Sequence, residues 1–153
     1  MKFGPVAASE AEGTILAHST QAGKTRLKKG LRLDAESVSQ LVDSGIETVI
    51  VARLDEGDVD EDSAAGRIAD AFAGSGIEAA APATGRVNLH ATGPGLFRAD
   101  KKRVDTFNAI DPSITYACLN DRSVVAEGDM VATIKIIPLA VSGASVDKAA
   151  ALI

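Results

Sequence analysis

Tryptophan is absent from this 153-residue chain, tyrosine occurs once, and the aromatic share is only 3%. A protein that stacks bases or sugars needs several exposed rings, so that class is disfavoured. Cys118 is the only cysteine, which rules out an intrachain disulfide and suits a reducing compartment. No apolar run approaches the roughly 20 residues needed to cross a bilayer. Pro5, Ser9, Glu10 and Glu12 interrupt any signal-peptide core near the N-terminus. A cytoplasmic location is the expectation. Basic residues cluster no further than Lys28–Lys29 and Lys101–Lys102–Arg103, and the formal net charge is -5. Neither nucleic acid nor a membrane is therefore expected as a partner.

What is present is aliphatic. Hydrophobic residues make up 46% of the chain, mostly Ala, Val, Ile and Leu. That mixture suits helices with small residues packed on β-branched strands, an α/β chain of the mixed α+β kind. Short strands and three to four helices are expected. Gly13–Ala17 reads as a strand. Asp34 caps a helix with Val38, Leu41 and Val42 on one face, and Gly45 ends it. Ile46–Leu54 is a buried strand. An acidic loop, Asp55–Asp62, leads to a helix over about 61–73 with Ala65, Ile68, Ala69 and Phe72 inward. Gly85–His90 is a strand. Asp100 caps a third helix, with Val104 and Phe107 inward, which Asp111-Pro112 stops. Ile114–Leu119, Val124–Val125 and Met130–Leu139 are strands, and Ser145 caps a final helix. Alanines and Pro82 over 79–84 read as a linker. This gives a first lobe over 1–80 and a second over 84–141. Residues 142–153 begin a linker or helix towards a following domain. The pattern Asp34…Val38…Leu41 recurs as Asp100…Val104…Phe107, so the lobes have a weak similarity.

Several patterns carry chemical possibilities. Asp58, Asp60 and Asp62 share the opening spacing of a calcium loop. Ser63 stands where its turn glycine belongs and Ala69 where its bidentate glutamate belongs, so a solvated helix start is favoured. Gly23-Lys24-Thr25 lacks the first glycine of a phosphate loop. Cys118 lies in an apolar strand and reads as a small buried hydrophobe. Arg86, Asn88 and His90 alternate along one strand face and are candidates for holding a phosphate or a pterin edge. A salt bridge with a strand-end cap explains the same spacing. Lys135, inside an apolar run, either lies on an edge strand facing solvent or partners a buried anion. The edge position is the commoner of the two. These four residues form the candidate cofactor-binding set. No catalytic or metal-ligating residue is assigned.

Lys28-Lys29-Gly30-Leu31-Arg32-Leu33-Asp34-Ala35-Glu36, followed by Leu41, Gly45-Ile46 and Val49-Ile50-Val51, resembles a segment of molybdopterin molybdotransferases. It is similar to the lysine-glycine turn, helix, Gly-Ile and strand ahead of their molybdopterin-binding domain. Met1–Val6, Glu10–His18, Gly57–Val59 with Glu61–Asp62, Thr84–Leu89 and Val131–Pro138 resemble the N-terminal region of a bacterial group of molybdopterin-binding proteins. Some members of that group also carry a nucleotidyltransferase domain, of the molybdenum-cofactor or diphosphocytidyl-methylerythritol-synthase type. The resemblance implies a non-catalytic accessory or binding module in molybdenum cofactor biosynthesis, partnered by a downstream molybdopterin-binding domain and able to form a homo-oligomer. No cofactor is required by this chain, although the full-length protein would bind molybdopterin. The alternative is part of a cytidylyl- or nucleotidyltransferase whose catalytic domain lies outside the chain. The family's pterin-phosphate loops belong to the following domain, so no family catalytic residue maps onto any position here.

Overall fold

The computed structural model describes residues 1–72, 74 and 76–152, and it divides into two compact units, 1–56 and 57–153. The fold is mixed α+β, with every strand pairing antiparallel. Among the described residues no helix is long and apolar enough to cross a membrane.

The first unit holds β1 (Lys2–Ala7), β2 (Ile15–Leu16), β3 (Thr20–Ala22), β4 (Thr25–Leu27), α1 (Ala35–Asp43) and β5 (Thr48–Arg53). Its sheet runs β1-β5-β2, while β3 and β4 form a separate hairpin. β1 was not among the expected strands, and it contains Gly4 and Pro5. It forms at the sheet edge, with Pro5 opposite Ile50, where a residue lacking an amide donor is tolerated. Gly23 and Lys24 turn the β3–β4 hairpin, so they do not lead a strand into a helix as a phosphate loop must. Asp34 caps α1 by accepting a bond from the Ser37 amide at 2.8 Å, and Gly45, at φ +74°, ends it. Leu16, Leu33, Leu41 and Val51 fill the core. Val42 is an exception to the expected inward face. It is 47% exposed, because α1 turns Ser37 and Leu41 inward instead.

The second unit holds β6 (Asp58–Asp60), α2 (Glu61–Phe72), β7 (Ile77–Ala79), β8 (Arg86–Ala91), β9 (Gly95–Phe97), α3 (Lys101–Asn108), β10 (Ile114–Cys118), β11 (Ser123–Val125), β12 (Met130–Ile136), β13 (Ala140–Ser142) and α4 (Gly143–Ala151). Ala73, the expected end of α2, and Ile153, the end of the chain, lie outside the described residues. A four-stranded sheet runs β10-β12-β8-β7. Alternation sends Val87 and Leu89 of β8 and Ile134 and Ile136 of β12 to one face. α2 covers that face with Ala64, Ala65, Ile68 and Ala69, each at most 1% exposed. The three alanines let the helix approach closely, and burying Ile68 alone contributes roughly 1.5–3 kcal/mol.

Three expectations are revised here. Asp58–Asp60 is a strand paired with β13, not a loop. Ser145 does not cap α4, which starts at Gly143. Its hydroxyl donates to Asp111 at 2.8 Å instead. Residues 79–84 are no linker. β7 and β8 are the arms of one hairpin, with the Ala80 amide bonding to the Asn88 carbonyl and Ala83 and Arg86 exchanging both backbone bonds. The two compact units divide at 56/57. The two units differ in sheet order, and share only a capped helix followed by a strand.

Thr84 and Gly85 close this hairpin with φ of +51° and +72°. Positive φ at both central residues marks a type I′ turn. Gly85 is obligatory there. A Cβ would lie 2.6 Å from Glu61 Oε2 and 2.8 Å from the Ile136 carbonyl oxygen. Thr84 is strained, since β-branched residues avoid left-handed backbone. Such strain persists only where neighbours hold it. The Asp62 carboxylate accepts from the Gly85 amide, the Ile136 amide donates to the Gly85 carbonyl at 2.7 Å, and Lys135 donates to the Thr84 carbonyl.

Urea unfolding should show that Gly85→Ala costs more than about 2 kcal/mol, from backbone strain plus overlap. Thr84→Asn should gain about 0.5–1 kcal/mol, because Asn-Gly is the favoured pair in this turn. Gly93→Ala, where a Cβ meets nothing within 4 Å, should change stability by less than about 0.5 kcal/mol.

Candidate functional site

The outer face of the four-stranded sheet carries all four residues of the expected set. Arg86, Asn88 and His90 project from β8 on the side away from Val87 and Leu89. Register places Lys135 opposite Arg86, Thr133 opposite Asn88, and Met130 and Glu78 on either side of His90. The residues line up without converging. Side chains two apart on a strand are separated by roughly 6.5–7 Å, so Arg86 and His90 lie about 13 Å apart. Asn88 is engaged, accepting from the Thr133 hydroxyl at 3.0 Å. Arg86 is exposed and has no carboxylate within ion-pair distance among the described residues.

Lys135 is not on an edge strand, because β12 lies between β10 and β8. It is the partner of a buried anion. Its ammonium is 4.0 Å from the carboxylate of Glu61, whose side chain is 9% exposed. A charge so placed must be compensated, which explains a lysine within an apolar strand.

The acidic segment is equally committed. Asp60 accepts from the Ser63 amide at 3.0 Å and so caps α2, while Asp62 holds Gly85. The same use of aspartate recurs along the second unit. Asp100 takes the amides of Lys102 and Arg103, Asp111 that of Ser113, Asp121 that of Ala99 and Asp129 that of Ala126. Burial opposes ionisation of Asp111, but the bonds from Ser113 and Ser145 outweigh it and leave its carboxyl below the ordinary range. A depressed folded-state value means stability that is fully present above the usual carboxylate range and is lost as pH falls through the folded value. Among the described residues no group of three or more His, Cys, Asp or Glu is gathered as for a metal ion.

A concavity lies on the opposite side of the sheet. It is a cavity of about 540 Å³ in the second unit. Four of the chain's five aromatic residues, Phe72, Phe97, Phe107 and Tyr116, line it. Phe72 stacks on Tyr116, with centroids 4.8 Å apart and planes 13° from parallel, and Phe107 tilts against Tyr116 at 5.6 Å. Asn108 of α3 steadies this wall. Its side-chain amide donates to the Tyr116 carbonyl at 2.9 Å and accepts from the Tyr116 amide at 2.8 Å. It thus stands in for the neighbouring strand that β10, at the sheet edge, lacks. Burial pushes the Tyr116 hydroxyl well above its ordinary range, helped by the charge and hydrogen bond of Cys118. The Cys118 thiol is itself raised by burial, the reverse of what a nucleophile needs. Arg98, Asp100 and Arg103 supply the charged lining.

A family model described as a domain of unknown function, DUF8806, matches residues 5–53. That match lies within the first unit. No curated protein and no solved structure matches the chain.

None of Arg86, Asn88, His90 or Lys135 lines the cavity. Sequence reasoning placed Phe72, Val104 and Phe107 inward but not around a cavity. The available signal was that an aromatic-poor chain spends its rings in one unit, at 72, 97, 107 and 116.

Replacement of Lys135 by Met should cost roughly 1–2 kcal/mol in urea unfolding, since Glu61 loses one charged neighbour and the Thr84 carbonyl its side-chain donor. Arg86→Ala should stay within about 0.5 kcal/mol of the parent chain.

Proposed function

We propose that this chain is a non-catalytic accessory and binding module of a bacterial molybdopterin-binding protein, acting in the cytoplasm in molybdenum cofactor biosynthesis. One observation carries the non-catalytic half of this reading. Many of the second unit's acidic side chains, and its one thiol, are engaged in architecture. Six aspartates of the second unit hold backbone amides, Glu61 faces Lys135, and the Cys118 thiol is raised by burial. A group that fixes the fold at neutral pH must keep its charge and position, whereas a general acid or base must exchange its proton.

The pathway rests on the resemblance described above. The stretches it draws on form coherent pieces: Lys28–Asp34 is the turn into α1, Thr84–Leu89 is the type I′ turn with most of β8, and Val131–Ile136 is β12. In this role the module binds beside a downstream molybdopterin-binding domain and supplies surface, not turnover. The sheet face bearing Arg86, Asn88, His90 and Lys135 is its polar docking side.

Incubation with CTP and either molybdopterin or methylerythritol phosphate should release no pyrophosphate above a buffer blank. Sedimentation with a separately produced molybdopterin-binding domain should show a complex. Pyrophosphate release above the blank would move the chain into the nucleotidyltransferase reading. Independent sedimentation of the two proteins would remove the accessory role.

A further inference from the structure

The cavity of the second unit plays no part in that role, and its lining specifies a ligand. Its volume of about 540 Å³ falls within the roughly 300–1,000 Å³ of small-molecule sites. A core of this size collapses around voids unless something rigid holds the walls apart. Here each wall has its own anchor. Phe72 ends α2, which is clamped to the sheet. Tyr116 is fixed at both its amide and its carbonyl by Asn108. The Phe97–Asp100 segment is tied to the Asn120–Ser123 turn, where Asp121 holds the Ala99 amide at 3.0 Å and pairs with Arg98 at 3.3 Å.

The chemistry of the lining is divided. The inner wall is hydrocarbon and ring, with the Phe72–Tyr116 stack and the tilted Phe107 offering faces and edges together. Aromatic groups prefer such offset or edge-on neighbours beyond simple area burial. The charged lining carries two arginines against one carboxylate, and that carboxylate, Asp100, is already bound to the first amides of α3. Arg98 is paired with Asp121, whereas Arg103 has no carboxylate within ion-pair distance among the described residues. An exposed guanidinium beside an aromatic recess presents a fork of donors to an oxyanion whose organic body lies inside.

We infer that this cavity binds a small aromatic acid, with its ring system against Phe72, Phe107 and Tyr116 and its carboxylate or phosphate on Arg103.

Tyr116 is the chain's only tyrosine, so its ring protons report this cavity alone. The full chain is titrated with 1-naphthoate, 1-naphthalenemethanol and octanoate, with calorimetry for affinity and Tyr116 proton shifts for location. 1-Naphthoate should bind once per chain, with ring-current shifts of Tyr116. Arg103→Ala should weaken 1-naphthoate about tenfold while leaving the neutral alcohol within about twofold, because only a charged hydrogen bond is lost. Val104→Phe, which fills the recess from α3, should abolish the shifts for both. Arg103 is exposed on α3, so its replacement leaves the fold intact, as the unchanged alcohol affinity would itself report. No saturable shift of Tyr116 with either naphthalene probe would overturn the inference. So would equal binding of octanoate and 1-naphthoate, or an Arg103→Ala chain that binds the anion as tightly as the parent.

Discussion

The second unit depends on the contact between the N-terminus of α2 and the Thr84–Gly85 turn. Three elements meet there with no room for a side chain. Gly85 is buried against Glu61 and the Ile136 carbonyl, its amide is taken by Asp62, and the strained Thr84 carbonyl is taken by Lys135. Ala83 pairs with Arg86 at the turn, a one-residue shift precedes the β7–β8 pairing of Ala79 with Leu89, and β8 pairs with β12 with Arg86 opposite Lys135. A one-residue slip would exchange Val87 and Leu89 with Arg86 and Asn88, turning polar groups into the core and apolar groups to water. The pairing of β8 with β12, anchored at this junction by Lys135 and the Ile136 amide, thus decides which side of the sheet is greasy and which is charged.

The two faces then acquire different characters. Small residues on α2 allow it to lie flat on the inner face, while the aromatic side chains gather beyond its end and leave a recess there. The outer face keeps a line of polar groups, with Asn88 joined to Thr133 and Lys135 drawn to Glu61. Aspartate is the recurrent fastener. Its short carboxylate reaches an amide two or three residues on, or one across a turn, which stabilises helix starts and loops without a larger core. Asp111 and Asp121, whose carboxyls are held below the ordinary range by such bonds, lose that contribution as pH falls through their folded values.

Local chemistry was legible in the sequence where a residue acts on its neighbours. The caps at Asp34 and Asp100, the end of α1 at Gly45 and the inward stripe of α2 all follow from short spacings. Features that depend on partners far along the chain were not legible. β1 contains Gly4 and Pro5 and exists because β5 offers it an edge. The alanines and Pro82 of 79–84 resemble a linker until β8 is known to pair with them. The surroundings of Lys135 require knowledge that Glu61 is buried beside it. Of the candidate site, the alternation of Arg86, Asn88 and His90 was visible, but their shared face is a line, not a pocket. The cavity draws on residues from 72 to 152, and no local pattern announces such a meeting.

The most direct test of this account is amide hydrogen exchange at Gly85 in the intact chain. A buried amide held by the Asp62 carboxylate should open only with global unfolding if the junction organises the unit, so Gly85 should exchange as slowly as Leu89 and Ile134 in the sheet core. In Asp62→Asn its exchange should accelerate relative to those two. An amide at Gly85 that exchanges in the parent chain as freely as that of Gly93 would contradict the claim that this junction organises the unit.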